Sequence, residues 1–155
     1  MIINCMELET VARKLQSAGL RLTPQRLAIY RYLANTDTHP TAQAIFEELR
    51  PEYPSLSLAT VYNTLETLVN LGIINALGSA GDDAVHFDGD LTPHVNLACV
   101  SCHRVIDLYS ENVGQLENEV AARSGYQILG ARVLYYGLCP RCAQQAAGET
   151  ATEST

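Results

Sequence analysis

The sequence predicts an α+β protein built from an N-terminal winged helix-turn-helix domain and a small C-terminal α/β domain. Three observations carry this. Four segments with helical apolar spacing fill the first 72 residues, two segments that read as a small hairpin follow them directly, and two Cys-x-x-Cys pairs mark a strand-rich remainder.

The first helix is written in Leu8, Val11, Ala12 and Leu15, with Gly19 placed as a C-cap glycine. Thr23-Pro24 supplies an N-cap hydroxyl and a proline at the first helical position, and Leu27, Ile29, Tyr30 and Leu33 carry a second helix to about Asn35. Thr41 caps a third, with Ile45, Phe46 and Leu49 inward, before Pro51 and Pro54 stop it. Ser57 caps a fourth, whose stripe is Val61, Leu65, Leu68 and Val69 and whose end is Gly72. Residues 73–77 and 84–87 then read as a hairpin around the turn 78–83. Domain boundaries fall at 1–87 for the winged helix, 88–94 for a polar hinge and 95–142 for the second domain. That domain is expected to hold strands over 95–98 and 105–109, a helix over 113–122 and a strand over 126–136. The segment 143–155 has little apolar content and is expected to be disordered.

Composition narrows the function. At 155 residues, 47% hydrophobic and 17% charged, the chain can bury a core. No apolar run is long enough for a membrane span and no basic, apolar leader opens the chain, so it is read as cytoplasmic. The net charge of -7 is unfavourable for nucleic acid. Its distribution is less so: residues 1–78 hold six basic and seven acidic side chains, residues 79–155 four and ten, and Arg13, Lys14, Arg21 and Arg26 cluster in the helical half. In a helix-turn-helix the N-terminal end of the recognition helix meets base edges, which selects Ala59, Thr60, Tyr62 and Asn63; Arg13, Lys14 and Arg26 are expected on phosphates.

Cysteines in a reducing compartment point to metal rather than disulfides. Cys99-Val-Ser-Cys102 and Cys139-Pro-Arg-Cys142 together offer four thiolates, the preferred set for structural zinc. The 36 residues between the pairs must form structure that returns the second pair to the first. A dithiol redox pair is one rival. Another is haem attachment, since His103 completes Cys-x-x-Cys-His, although that chemistry leaves the second pair unexplained. Cys5 has no assigned role. Asp82, Asp83, His86, Asp88, Asp90 and His94 crowd the hinge, with His86 and Asp88 on one strand face and His94 and Asn96 on another. Mixed imidazole and carboxylate ligands suit zinc, ferrous iron, manganese or cobalt.

These residues resemble the ferric uptake regulator family over roughly residues 8–142. The matching pieces, in order, are Leu22-Thr-Pro-Gln-Arg26, His39-Pro-Thr-Ala42, Ala59-Thr-Val-Tyr-Asn-Thr-Leu65, Leu71-Gly-Ile-Ile74, Phe87-Asp88, His94 ahead of Cys99 and Cys102, and Gly137-Leu-Cys139 with Cys142. The resemblance implies a homodimeric repressor of pseudo-palindromic operator DNA, with a C-terminal dimerisation domain, structural zinc on the four cysteines and a regulatory metal at the hinge. Asn63 after Tyr62 is typical of the peroxide-sensing branch. In that branch three histidines and two aspartates hold the regulatory ion, ferrous iron or manganese, and they fall here on His39, Asp88, His94, Asn96 and Asp107. Asn96 departs from the expected histidine, and His86 is a possible substitute. The resemblance further implies oxidation of an iron ligand at His39 or His94. Alternatives are an iron, zinc or manganese uptake regulator answering to metal occupancy alone and, more remotely, a hydrolytic metalloenzyme, for which no HExxH, serine triad or P-loop is present.

Overall fold

The computed structural model describes residues 5–152. The chain divides into two compact units, the first comprising residues up to 78 together with 85–92, the second comprising 79–84 and everything from 93 onward.

In the first unit, α1 (Cys5–Ser17), α2 (Pro24–Ala34), α3 (Ala42–Leu49) and α4 (Leu58–Asn70) precede a two-stranded antiparallel hairpin of β1 (Asn75–Gly78) and β2 (His86–Asp88). Three of the helices start at a hydroxyl cap. Thr23, Thr41 and Ser57 sit in extended backbone and accept from the amides of Arg26, Ala44 and Thr60. Each such cap is worth about 1 kcal/mol. The helices close on one core in which Leu15, Ile29, Ile45, Val61, Leu65 and Leu68 are inaccessible to solvent. Ile73 and Ile74, expected to begin a strand, are instead buried in that core between α4 and β1. They pin the hairpin to the end of α4. Lys14 Nζ donates to the Gly72 carbonyl at 3.0 Å, tying α1 to the turn that ends α4.

In the second unit, β3 (Val95–Cys99) lies between β4 (Val105–Leu108), antiparallel to it, and β5 (Val133–Gly137), parallel to it. The helix α5 (Glu111–Ser124) makes the crossover that a parallel pair requires, and Gly125 ends it in the left-handed conformation. Two expectations are corrected here. The strand expected over 126–136 is confined to Val133–Gly137, because five-residue β3 offers no more backbone to pair with. The segment expected to be disordered from 143 is helical as far as Thr152 in α6 (Pro140–Thr152), with 153–155 outside the described residues. Apolar content misled. Among its described side chains Cys142 alone is buried, so little apolar content is needed: Pro140 opens the helix, the Ala143 amide donates to the Cys139 carbonyl, and alanine and glutamine are good helix formers. Among the described residues no helix is long and apolar enough to cross a membrane.

The turn 79–84 counts with the second unit, although the two strands it joins belong to the first. Asp88 is a strand residue rather than part of a hinge.

Candidate metal centres and DNA-reading helix

Parallel pairing of β3 with β5 places the C-terminal ends of both strands side by side, with Cys99 opposite Gly137. One cysteine pair follows each end, so the four sulfurs converge. All four Sγ atoms lie within 4.8 Å of one another, and Cys102 Sγ is 4.0 Å from Cys139 Sγ. A zinc ion with bonds of about 2.3 Å to four sulfurs separates them by about 3.8 Å. The cluster therefore has the geometry of a structural zinc site, and haem attachment has no use for this convergence.

The backbone prepares these thiols for metal. The Cys139 amide donates to Cys99 Sγ at 3.3 Å, and amides of Cys102 and then Cys139 pull the Cys99 thiol down to about 6. Cys139 is also lowered, chiefly by the Cys142 backbone. Cys142 stands at about 11: a hydrogen bond from Ser101 lowers it, but the Cys139 thiol, burial and the other two thiols together push it up. Backbone donors thus favour the thiolate at Cys99 and Cys139, the form in which cysteine binds a metal ion. Arg141, which the sequence reading passed over, hydrogen-bonds Cys102, and its own pKa is raised by that bond. The only sequence signal for it was a cation inside a Cys-x-x-Cys pair.

The remaining candidate ligands fall into two groups. In the first unit, His39 and Asp88 are both buried, with His39 Nε2 3.9 Å from Asp88 Oδ1. His39 takes a left-handed backbone (φ 49°), which is strained for a residue with a Cβ. Three contacts hold it. His86 Nδ1 donates to the His39 carbonyl at 2.8 Å, the Phe87 amide donates to the Pro40 carbonyl at 3.0 Å, and Thr41 bridges to His86. His86, which the sequence offers as a possible substitute ligand, thus fixes the His39 loop against β2 through Nδ1, a bond that a ligating imidazole also makes. The Asp90 amide fixes Asp88 through Oδ1 at 2.8 Å, and the Thr92 amide repeats the motif on Asp90. Gly89 is confined as well: a Cβ there would lie 2.8 Å from the Leu33 carbonyl oxygen.

In the second unit, Asn96 on β3 stands opposite Asp107 on β4, so their side chains leave the same face of the sheet, and His94 shares that face two residues before Asn96. His94 Nε2 is 3.4 Å from Asp107 Oδ1, and the His94 ring leans on Tyr109 with centroids 5.4 Å apart. Asn96 is 3% exposed, and its Oδ1 is buried without a hydrogen-bond partner among the described residues. A buried carboxamide oxygen in that condition costs about 1–3 kcal/mol. A cation would remove the cost, which is the fit expected of an oxygen ligand beside an imidazole and a carboxylate.

On α4, Val61, Thr64, Leu65 and Leu68 are buried, leaving Ala59, Tyr62 and Asn63 exposed. Thr60 is half-buried and its hydroxyl meets the Ser57 cap at 2.8 Å. Of the expected phosphate contacts, Arg13 reaches Thr10, Lys14 holds Gly72, and Arg26 Nη1 donates to the Arg21 carbonyl at 2.7 Å. The last two cations thus also brace the fold.

A winged helix joined to a small sheet that ends in a four-thiolate knuckle defines a class of metal-binding transcriptional regulator. The ferric uptake regulator family model matches residues 17–136. The peroxide-responsive repressor PerR of Staphylococcus aureus is 35% identical over 136 residues, which span 88% of this chain and 91% of that protein. The structure of PerR from Streptococcus pyogenes, described for peroxide sensing and gene regulation, shares 34% identity over 86% of this chain and 91% of that one, with a TM-score of 0.50. The ferric uptake regulator of Helicobacter pylori has the same fold, with a TM-score of 0.72 at 19% identity over 89% of this chain and 92% of that one. The chain belongs to the ferric uptake regulator family. Its members are transcriptional regulators and not enzymes, so the hydrolytic alternative falls.

Proposed function

We propose that this protein is a cytoplasmic homodimeric repressor that binds pseudo-palindromic operator DNA when a regulatory divalent ion is loaded, and releases it under peroxide. His39 and Asp88 from the first unit, with His94, Asn96 and Asp107 from the second, are the proposed ligands, and the four cysteines hold structural zinc. Asn96 Oδ1, buried without a hydrogen-bond partner, is the observation that carries the regulatory site. Ligands drawn from both units make the logic one of linkage: binding that requires both favours one arrangement of the DNA readers, and losing it relaxes the fit to two half-sites. Ala59, Thr60, Tyr62 and Asn63 read bases, while Arg13, Lys14 and Arg26 hold phosphates.

Ferrous iron held by these residues would supply the activation of peroxide. His39 or His94 is the proposed acceptor: in the net reaction peroxide would give one oxygen atom to a ring carbon and leave as water, the ring alone losing the two electrons that peroxide gains and the histidine its strength as a ligand. The similarity to PerR proteins supports this version. Asn96 in place of a third imidazole favours a second reading, a regulator that responds to occupancy by iron, zinc or manganese alone, because the set is harder and richer in oxygen.

Operator binding measured with iron or manganese, before and after peroxide, separates the two. The expected result is release from the iron-loaded protein only, with one oxygen added to the peptide containing His39 or His94. Release without histidine oxidation selects the occupancy reading, and retention of DNA removes peroxide as the signal. His39→Ala, Asp88→Ala and His94→Ala are each expected to abolish metal-dependent binding while cysteine-bound zinc stays in place.

A further inference from the structure

His103 belongs to neither proposed metal set, yet its surroundings are specific. It follows Cys102 and adopts a left-handed backbone (φ 60°), with its amide on the Cys99 carbonyl at 2.8 Å. Its position is therefore set by the first cysteine pair. Its Nδ1 donates to the Ala80 carbonyl at 3.2 Å, and Ala80 lies in the turn between β1 and β2, 2% exposed. A Cβ on the neighbouring Gly81 would sit 3.3 Å from both Cα and O of Val100, inside the same cysteine pair. The turn thus meets the knuckle at two adjacent residues, Ala80 at the His103 ring and Gly81 against the Val100 backbone. Its own shape is fixed by Ser79, whose hydroxyl accepts from the Gly81 and Asp83 amides at 2.9 and 3.1 Å.

We propose that His103 is a positioning residue that anchors the turn 79–84, which joins β1 to β2, to the first cysteine pair, so that an intact four-cysteine site fixes the turn of the wing. Topology makes the anchor consequential. The chain passes between the two units after 78, after 84 and after 92, so the hairpin's strands lie in one and its turn in the other. The hairpin in turn leaves α4 through Ile73 and Ile74, which are buried in the helical core. Freeing the turn removes a restraint on the two strands that it joins.

Two substitutions isolate the hydrogen bond. His103→Gly accepts the left-handed backbone but has no donor, whereas His103→Asn accepts it and carries an amide N–H2 where Nδ1 stands. Zinc content, hydrogen exchange of residues 79–84 and, resting on the DNA-binding function proposed above, operator affinity are measured on the full chain. His103→Gly is expected to keep its zinc, to exchange about five- to tenfold faster in the turn, the worth of about one hydrogen bond, and to bind operator about five- to tenfold more weakly. His103→Asn is expected to restore both, and Gly81→Ala to loosen the turn with His103 intact, through its left-handed backbone (φ 91°) and the Val100 contact together. Unchanged exchange in His103→Gly, failure of asparagine to restore it, or loss of zinc from the glycine variant would each overturn the anchor. Faster exchange with unchanged operator affinity overturns its part in DNA binding. Should the unsubstituted protein bind no operator at all, it is the repressor function that fails, and the exchange result alone decides the anchor.

Discussion

Replacing Asn96 with leucine tests the regulatory site from the side of stability as well as of binding. Leucine has nearly the shape of asparagine without its polar atoms, and Asn96 is 3% exposed on the central strand of its sheet. With no ion present, the substitution removes a buried oxygen that lacks a hydrogen bond and adds buried apolar surface, so the protein should gain about 1–3 kcal/mol. For a chain of this length that raises the melting temperature by about 2–4 °C per kcal/mol. With manganese the sign reverses, since the unsubstituted site gains a ligand bond that leucine cannot make. Thermal unfolding by circular dichroism without added regulatory metal and in saturating manganese, together with manganese titration calorimetry, reads both halves. A destabilised Asn96→Leu protein in the absence of regulatory metal, or an unchanged manganese affinity, would refute the reasoning by showing that the amide serves the fold alone. Asn96→His, restoring the third imidazole of the peroxide branch, is expected to raise metal affinity.

Other outcomes follow from single contacts. Leu65→Ala empties a solvent-inaccessible position of the helical core and should cost about 2–5 kcal/mol in denaturant unfolding. Gly89→Ala drives a Cβ to 2.8 Å from the Leu33 carbonyl oxygen, so the backbone beside Asp88 must move, and both stability and manganese affinity should fall. Cys99→Ser or Cys139→Ser should release zinc, read by a chromogenic chelator, and unfold or monomerise the second unit, because metal-binding energy there is folding energy. Asn63→Arg should change operator preference in a selection experiment while leaving melting unchanged, whereas Arg13→Ala should weaken binding about equally for all operators and flatten its salt dependence.

The helical half of the protein was legible in the chain because its signals are local. Thr23, Thr41 and Ser57 each cap the helix their position announces, and the stripe Val61, Leu65, Leu68 is buried as its spacing requires. A cap or an amphipathic stripe depends on residues three or four apart, whose relation in space the helix itself fixes. The four cysteines were legible for a related reason, since thiolate chemistry narrows the partners before any fold is known. Local signals failed where a segment takes its structure from a distant one. The length of β5 was set by the five residues of β3 available to pair with it, and the helix over 143–152 continues one begun at Pro140 by the second cysteine pair. The parts given to the histidines were likewise decided by tertiary structure. Spacing placed His86 and His103 among possible metal or haem ligands, and the fold brings a carbonyl to one nitrogen of each, that of His39 to His86 and that of Ala80 to His103. An imidazole that donates one ring N–H to a carbonyl has its orientation fixed by that bond, and which carbonyl it meets depends on long-range packing that is invisible in the sequence order.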